Sequence, residues 1–160
     1  MNNENRNNIS EYDKILNDLL SVCNFVLIGS MGLKYAYPDI VNSEPKDADI
    51  VISDKSDLRL VVDFFIKSGY SVYSWNEPVD SNFDYDRMEG RIYFRALKNS
   101  YQFDVNYALE NITYSEIMEN IQIINNIKVP TKKLFIRLLT DVNNDKNRII
   151  IERLNNICDN

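Results

Sequence analysis

Residues 47–53 read Asp47-Ala48-Asp49-Ile50-Val51-Ile52-Ser53, and the fold turns on how this stretch is read. The run is short, β-branched and alternating, which predicts a strand. On a strand, Asp47, Asp49, Val51 and Ser53 share one face, while Ile50 and Ile52 point the other way into a core. The two carboxylates then sit about 6.5–7 Å apart at Cα. Asp is depleted from strands, and two carboxylates on one face repel each other. A hard cation such as Mg²⁺, which prefers carboxylate and phosphate oxygens, would relieve that repulsion.

Upstream, Phe25-Val26-Leu27-Ile28 is a continuous apolar run that predicts a buried strand, ended by Gly29-Ser30. Gly32 to Tyr37 reads as a short helix stopped by Pro38, and residues 38–46 as a loop. The N-terminal helix is expected from Ser10, with Tyr12, Ile15, Leu16, Leu19 and Leu20 as its apolar stripe; the Asn-rich residues 1–8 are expected to fray.

Downstream, Leu58 to Lys67 has helical spacing and Tyr70 to Trp75 alternates as a strand. Residues 76–90 read as a loop or hairpin tip. Arg91 to Leu97 and Tyr101 to Tyr107 form a predicted antiparallel hairpin around Lys98-Asn99-Ser100. Thr113 with Glu116 three residues later marks a capping box. Ile121 to Val129 predicts a last strand, Pro130-Thr131 leads into a helix carrying Leu134, Phe135, Leu138 and Leu139, and Arg148 to Ile157 predicts a final helix. The expectation is one α/β domain over residues 1–160, with a mixed central sheet flanked by helices and C-terminal helices over 130–160.

Composition narrows the chemistry. The 160 residues contain no His, which removes His-based acid–base catalysis, Ser-His and Cys-His nucleophiles, and His-rich zinc sites. Two cysteines, Cys23 and Cys158, imply no disulfide framework and fit a reducing compartment. The polar N-terminus and the lack of a long apolar run fit a cytoplasmic protein without a membrane span. A net charge of −6 disfavours nonspecific grip on a nucleic-acid backbone but leaves a metal-bound nucleotide open.

Two further features complete a possible site. Gly29-Ser30, between strand and helix, would let backbone N–H groups face an anion such as a triphosphate. Asp104, between Phe103 and Val105, joins Asp47 and Asp49 if its strand pairs beside theirs, and would then ligate metal and accept a proton. Other features read more simply. Arg91 and Arg95 share a strand face and could contact phosphate or substrate, and Lys132, Lys133 and Arg137 lie near a helix start; surface charge is the simpler reading of both groups. Tyr70, Tyr73 and Trp75 could stack a base, although packing on the sheet accounts for most of them. Asp80, Asp84 and Asp86 lack the Gly and terminal Glu of a calcium loop.

Hydrophobic strand, Gly29-Ser30, Asp47-x-Asp49 on a strand and Asp104 on a later one: this order resembles the nucleotidyltransferase superfamily, the group of DNA polymerase beta and of minimal and antibiotic nucleotidyltransferases. The tail from Lys128 through Lys133 and Arg137 to Lys146 and Arg148 is similar to the toxin-type AbiEii branch, within toxin–antitoxin systems. The gap of sixteen residues between Ser30 and Asp47 is longer than in compact members. The resemblance implies Mg²⁺-dependent transfer of a nucleoside monophosphate from an NTP, ATP among them, to a protein, RNA or small-molecule acceptor. Asp47, Asp49 and Asp104 would be the catalytic metal ligands of a two-metal site that also accepts Mn²⁺. Gly29 and Ser30, with Lys133 or Arg137, would bind the nucleotide, and a helical partner protein is a further expectation. The competing reading is a catalytically quiet module of the same fold that binds a nucleotide or a partner.

Overall fold

The computed structural model describes residues 3–85, 93–107 and 109–158, with side chains from Glu11 onward. Helix α1 (Asn3–Leu19) buries Tyr12, Ile15, Leu16 and Leu19. It reaches back through the Asn-rich segment marked for fraying, so Ser10 lies within the helix and does not cap it. Once the amphipathic part is helical, each added residue gains a bond without a new nucleation cost.

Strand β1 (Phe25–Ile28) leads straight into α2 (Gly29–Ala36). The predicted helix began at Gly32; it begins three residues earlier because Gly29 takes a left-handed φ of 64° that turns the chain sharply. Ser30 therefore sits in the first turn, and the cap position belongs to Ile28 without a side-chain cap bond. Strand β2 (Ala48–Ile52) follows the loop, then α3 (Asp57–Lys67), β3 (Ser71–Ser74) and a two-residue β4 (Glu77–Pro78). Strands β5 (Tyr93–Lys98) and β6 (Tyr101–Asn106) form the expected hairpin, with Asn99 at a φ of 53° in its turn.

These strands make one six-stranded mixed sheet in the order β1-β2-β6-β5-β3-β4. Strands β2 and β6 run parallel; every other neighbouring pair is antiparallel. One face packs on α1 and α3, where Phe25, Leu27, Ile50, Ile52, Phe94, Phe103 and Val105 meet Leu16, Val61 and Phe65. Ile50 and Ile52 thus point into the core as their alternation requires. The other face carries Val26 and Val51 against α4 (Tyr114–Met118) and α5 (Lys132–Val142).

Two predicted elements differ in form. The single strand expected over 121–129 is a hairpin of β7 (Ile121–Ile124) and β8 (Ile127–Pro130). Asn125 and Asn126 turn it at φ values of 50° and 68°, the pair of left-handed residues that a tight hairpin turn of the primed kind requires. The last helix, α6 (Asp145–Asn155), starts earlier than Arg148, because the Asn144 side chain accepts a bond from Asn147 N–H and caps it. Helices α5 and α6 pack as a pair against α2 through Leu33, Phe135, Ile150 and Leu154. The Thr113–Glu116 capping box at α4 forms as expected. No helix among the described residues is long and apolar enough to cross a membrane.

Phe103 is fully buried between Tyr12, Phe65 and Tyr70, with ring centroids 5.1–5.7 Å away. Phe103→Ala should lose about 3–5 kcal/mol in urea unfolding. Ile123→Ala, at a position 63% exposed, should stay within about 0.5 kcal/mol of wild type.

Candidate active site

The parallel ladder sets Ala48 against Phe103 and Asp49 against Asp104; the antiparallel one sets Asp104 against Arg95. Asp49, Asp104 and Arg95 therefore form a row across three adjacent strands, all on the face opposite the aromatic core. Asp47 lies just before β2, and the Gln102 amide links it to this row. Gln102 Nε2 is 3.5 Å from Asp47 Oδ2 and 3.2–3.3 Å from both Asp104 oxygens. The structure thus brings the three predicted carboxylates together.

Two local devices fix the row. The buried Tyr12 hydroxyl donates to Lys46 carbonyl at 3.0 Å and accepts from Gln102 N–H at 3.1 Å, tying α1 to the starts of β2 and β6. At the other end Gly29 approaches Asp49 so closely that a Cβ there would lie 2.3 Å from Asp49 Oδ2. A side chain at residue 29 would fill the space beside that carboxylate oxygen.

Asp104 is 5% exposed, and Arg95 grips it with two parallel bonds of 2.9 Å, from Nε to Oδ1 and from Nη2 to Oδ2. Burial pushes the Asp49 carboxyl up to about 7, with Asp47 and Asp104 adding repulsion. Burial also raises Asp47, with Asp104 as the next cause. The Tyr93 hydroxyl is raised by burial and by its bond with Asp104, and its ring lies 5.5 Å from the Arg95 guanidinium.

Carboxylate oxygens are the donors a hard cation prefers, and Asp47, Asp49 and Asp104 supply them on one face. Yet among the described residues no three His, Cys, Asp or Glu side chains stand as a ready metal-holding group. Both Asp104 oxygens are engaged by Arg95.

A cavity of about 490 Å³ opens beside the row. Gly29, Ser30 and Asp49 line it on one side and Lys146 on another, with Leu33, Phe135 and Ile150 as its apolar wall. Gly29 and Ser30 belong to the first turn of α2, where a helix leaves backbone N–H donors without intrahelical partners. Lys133 is exposed and lines no part of this cavity. Arg137 is tied to Glu116 at 3.3 Å and to the Asn111 carbonyl at 2.7 Å, and it too lies outside the lining. The cation at the cavity is Lys146, in the first turn of α6, a residue that the sequence reading placed only within its basic tail. Arg95 and Gln102 were missed as site residues; their alternation with buried Phe94, Ala96 and Phe103 on two paired strands is the signal that places them beside Asp104. Arg91 and Asp86 lie outside the described residues.

The chain is similar in fold to a crystal structure of JHP933 from Helicobacter pylori, at a TM-score of 0.57 and 14% identity, over 96% of this chain and 67% of that one. No protein-family model and no curated protein matches it. The likeness supports the mixed α/β architecture, a six-stranded mixed sheet with flanking helices and a C-terminal helical pair. The chemistry of the site therefore rests on its own geometry, which sets a pH dependence. A folded carboxyl near 7 against 3.8 in model peptides means that the native state holds a proton the unfolded chain has lost. Stability then falls as pH rises from about 4 to 7. In chelator-treated protein, Asp49→Asn should raise the melting temperature at pH 8 and change it little at pH 4; equal shifts at both pH values would refute this burial effect.

Proposed function

We propose that the protein is a nucleotidyltransferase that moves a nucleoside monophosphate from an NTP to a protein, RNA or small-molecule acceptor. The observation that supports this reading is the row of Asp49 and Asp104, joined through Gln102 to Asp47, with Asp49 lining one cavity together with Gly29 and Ser30 of α2. An acceptor hydroxyl oxygen would bond to the α-phosphorus while the bond from that phosphorus to the bridging oxygen breaks. Pyrophosphate leaves, and the hydroxyl proton passes to Asp104. Mg²⁺, or Mn²⁺ in its place, would be held by Asp47, Asp49 and Asp104 and would supply charge neutralisation for the triphosphate.

The chain's own groups account for the rest. Gly29 and Ser30 would present N–H donors to the phosphates. Lys146 would add a positive charge at the same cavity, the role expected of Lys133 or Arg137, and the apolar wall of Leu33, Phe135 and Ile150 would take the base. The toxin–antitoxin setting, with a helical partner protein, belongs to this reading through the sequence resemblance alone.

One observation favours a second reading. The grip of Arg95 on Asp104 leaves the third carboxylate engaged, as in a quiet module that binds a nucleotide or a partner without transfer. Thermal shift with each NTP separates the two: stabilisation that needs both NTP and Mg²⁺ supports the transferase, and stabilisation by NTP alone supports the module.

With α-labelled NTPs and host lysate, wild type should label an acceptor, and Asp47→Asn with Asp49→Asn should abolish labelling while the protein stays folded by circular dichroism. Persistent labelling by that double variant would falsify the site assignment. Lys146→Ala should raise the half-saturating NTP concentration by roughly tenfold, the worth of one charge-assisted contact. Lys133→Ala should leave it unchanged; the opposite ranking returns the phosphate contact to α5.

A further inference from the structure

Asn106 ends β6 as a buried amide, 5% exposed, in register with Val51 of β2 and Tyr93 of β5. Asn is depleted from strands, and a buried amide costs free energy wherever its polar atoms stay unpaired. Its Nδ2 donates to the Ile50 carbonyl at 3.4 Å, beyond the usual span of such bonds. A carbonyl only accepts, so this bond fixes the orientation of the amide and turns Oδ1 away from Ile50. Among the described residues Oδ1 has no donor. The polar side-chain atoms sealed without a partner among those residues are the Tyr70 and Tyr114 hydroxyls. Asn106 Oδ1 therefore keeps an opening, and it leads to the cavity of about 490 Å³ that Asn106 lines. Nearby groups on that lining are already engaged: the Tyr93 hydroxyl with Asp104, and the Asn147 amide with the Leu139 carbonyl.

A buried acceptor in that position calls for a ligand that carries a donor. Asp104 and Asn106 are two residues apart on one strand, so they share a face and lie about 7 Å apart at Cα. Asp49, the register partner of Asp104, lines the same cavity. A nucleotide that reacts at Asp49 through its α-phosphate carries its sugar one ester linkage further on. Its base lies beyond the sugar, toward the wall of Leu33, Phe135 and Ile150. The donors on the sugar are its hydroxyls, since the ring and ester oxygens only accept and would leave Oδ1 unpaired.

We infer that Asn106 is a specificity-determining residue: its Oδ1 accepts a hydrogen bond from a ribose hydroxyl, so that the cavity selects ribonucleotides over their deoxy counterparts. The inference rests on the nucleotide reading proposed above and on no particular arrangement of metal. An amide that only tied β6 to Ile50 would change the affinity for every nucleotide alike. One that reads the sugar changes it for those that carry the hydroxyl.

The test measures binding to the full chain by titration calorimetry, with the four ribonucleoside triphosphates in Mg²⁺ buffer and with their 2′-deoxy and 3′-deoxy counterparts. Wild type should bind the ribose form more tightly than at least one deoxy form, by on the order of tenfold, as expected when a buried acceptor is left unpaired. The deoxy form that loses affinity identifies the hydroxyl. Asn106→Leu, similar in size but without the acceptor, should bring that ratio close to one. The ratio is taken within one variant, so a general loss of affinity cancels. If Asn106→Leu does not fold, Asn106→Ala is read in the same way. Equal binding of ribose and deoxy forms by wild type, or a ratio that survives in a folded variant, overturns the assignment while the nucleotide site stands. No binding of any nucleotide by wild type overturns the assignment and the nucleotide reading together.

Discussion

Ala48 to Val51 pair in parallel with Phe103 to Asn106, and this ladder holds Asp49 beside Asp104. Nothing in the carboxylates favours that proximity. Ile50, Ile52, Phe103 and Val105 on the opposite face are all buried. Each is worth about 2 kcal/mol on burial. A slip of one residue would turn them out and push both carboxylates into the aromatic layer. Against this stands the cost of keeping Asp49 charged, with its carboxyl pushed from 3.8 to about 7, or roughly 4 kcal/mol if the whole shift is counted. The apolar face wins, and the acidic row is held in place by the core behind it.

The row also depends on groups that hold backbone. Tyr12 spends its hydroxyl on Lys46 and Gln102, so the helix that covers the core also sets the residues flanking Asp47 and Asp104. Gly29 does the same from the other side: its left-handed φ turns β1 into α2, and its missing Cβ leaves room for Asp49 Oδ2. One residue therefore meets a conformational and a steric demand, and any L side chain there would fail both.

Much of this was legible in the sequence, for physical reasons. Alternation in residues 47–53 and 101–107 gave both strands and their faces, because period-two burial leaves an unambiguous mark. The pairing of Asp104 with the Asp49 strand was an inference that the structure bears out. What escaped was chemistry that depends on a neighbour. Arg95 looked like surface charge because its exposed length hides the buried carboxylate it reaches. Lys133 and Arg137 drew notice because they open a helix. Helical phase places neither at the cavity, whereas the Asn144 cap starts α6 early enough to bring Lys146 there. The Asn125-Asn126 turn was missed because Asn is a less distinctive left-handed residue than Gly, yet among the described residues Asn occupies most of the positive-φ positions.

The cavity lies on a protein of net charge −6, and Glu110 and Asp141 line it together with Lys146. Asp49 at its edge belongs to the acidic row, where Asp47 and Asp104 repel it. A triphosphate approaching such a site without a cation would meet net repulsion. Arg95 cannot correct this while both of its bonds go to Asp104. For the proposed transferase, a divalent cation brought in with the nucleotide would therefore act in binding before it acted in chemistry, by reversing the local sign of the field. On that proposal an acidic surface would be no contradiction, because affinity for the nucleotide would be conditional on the metal.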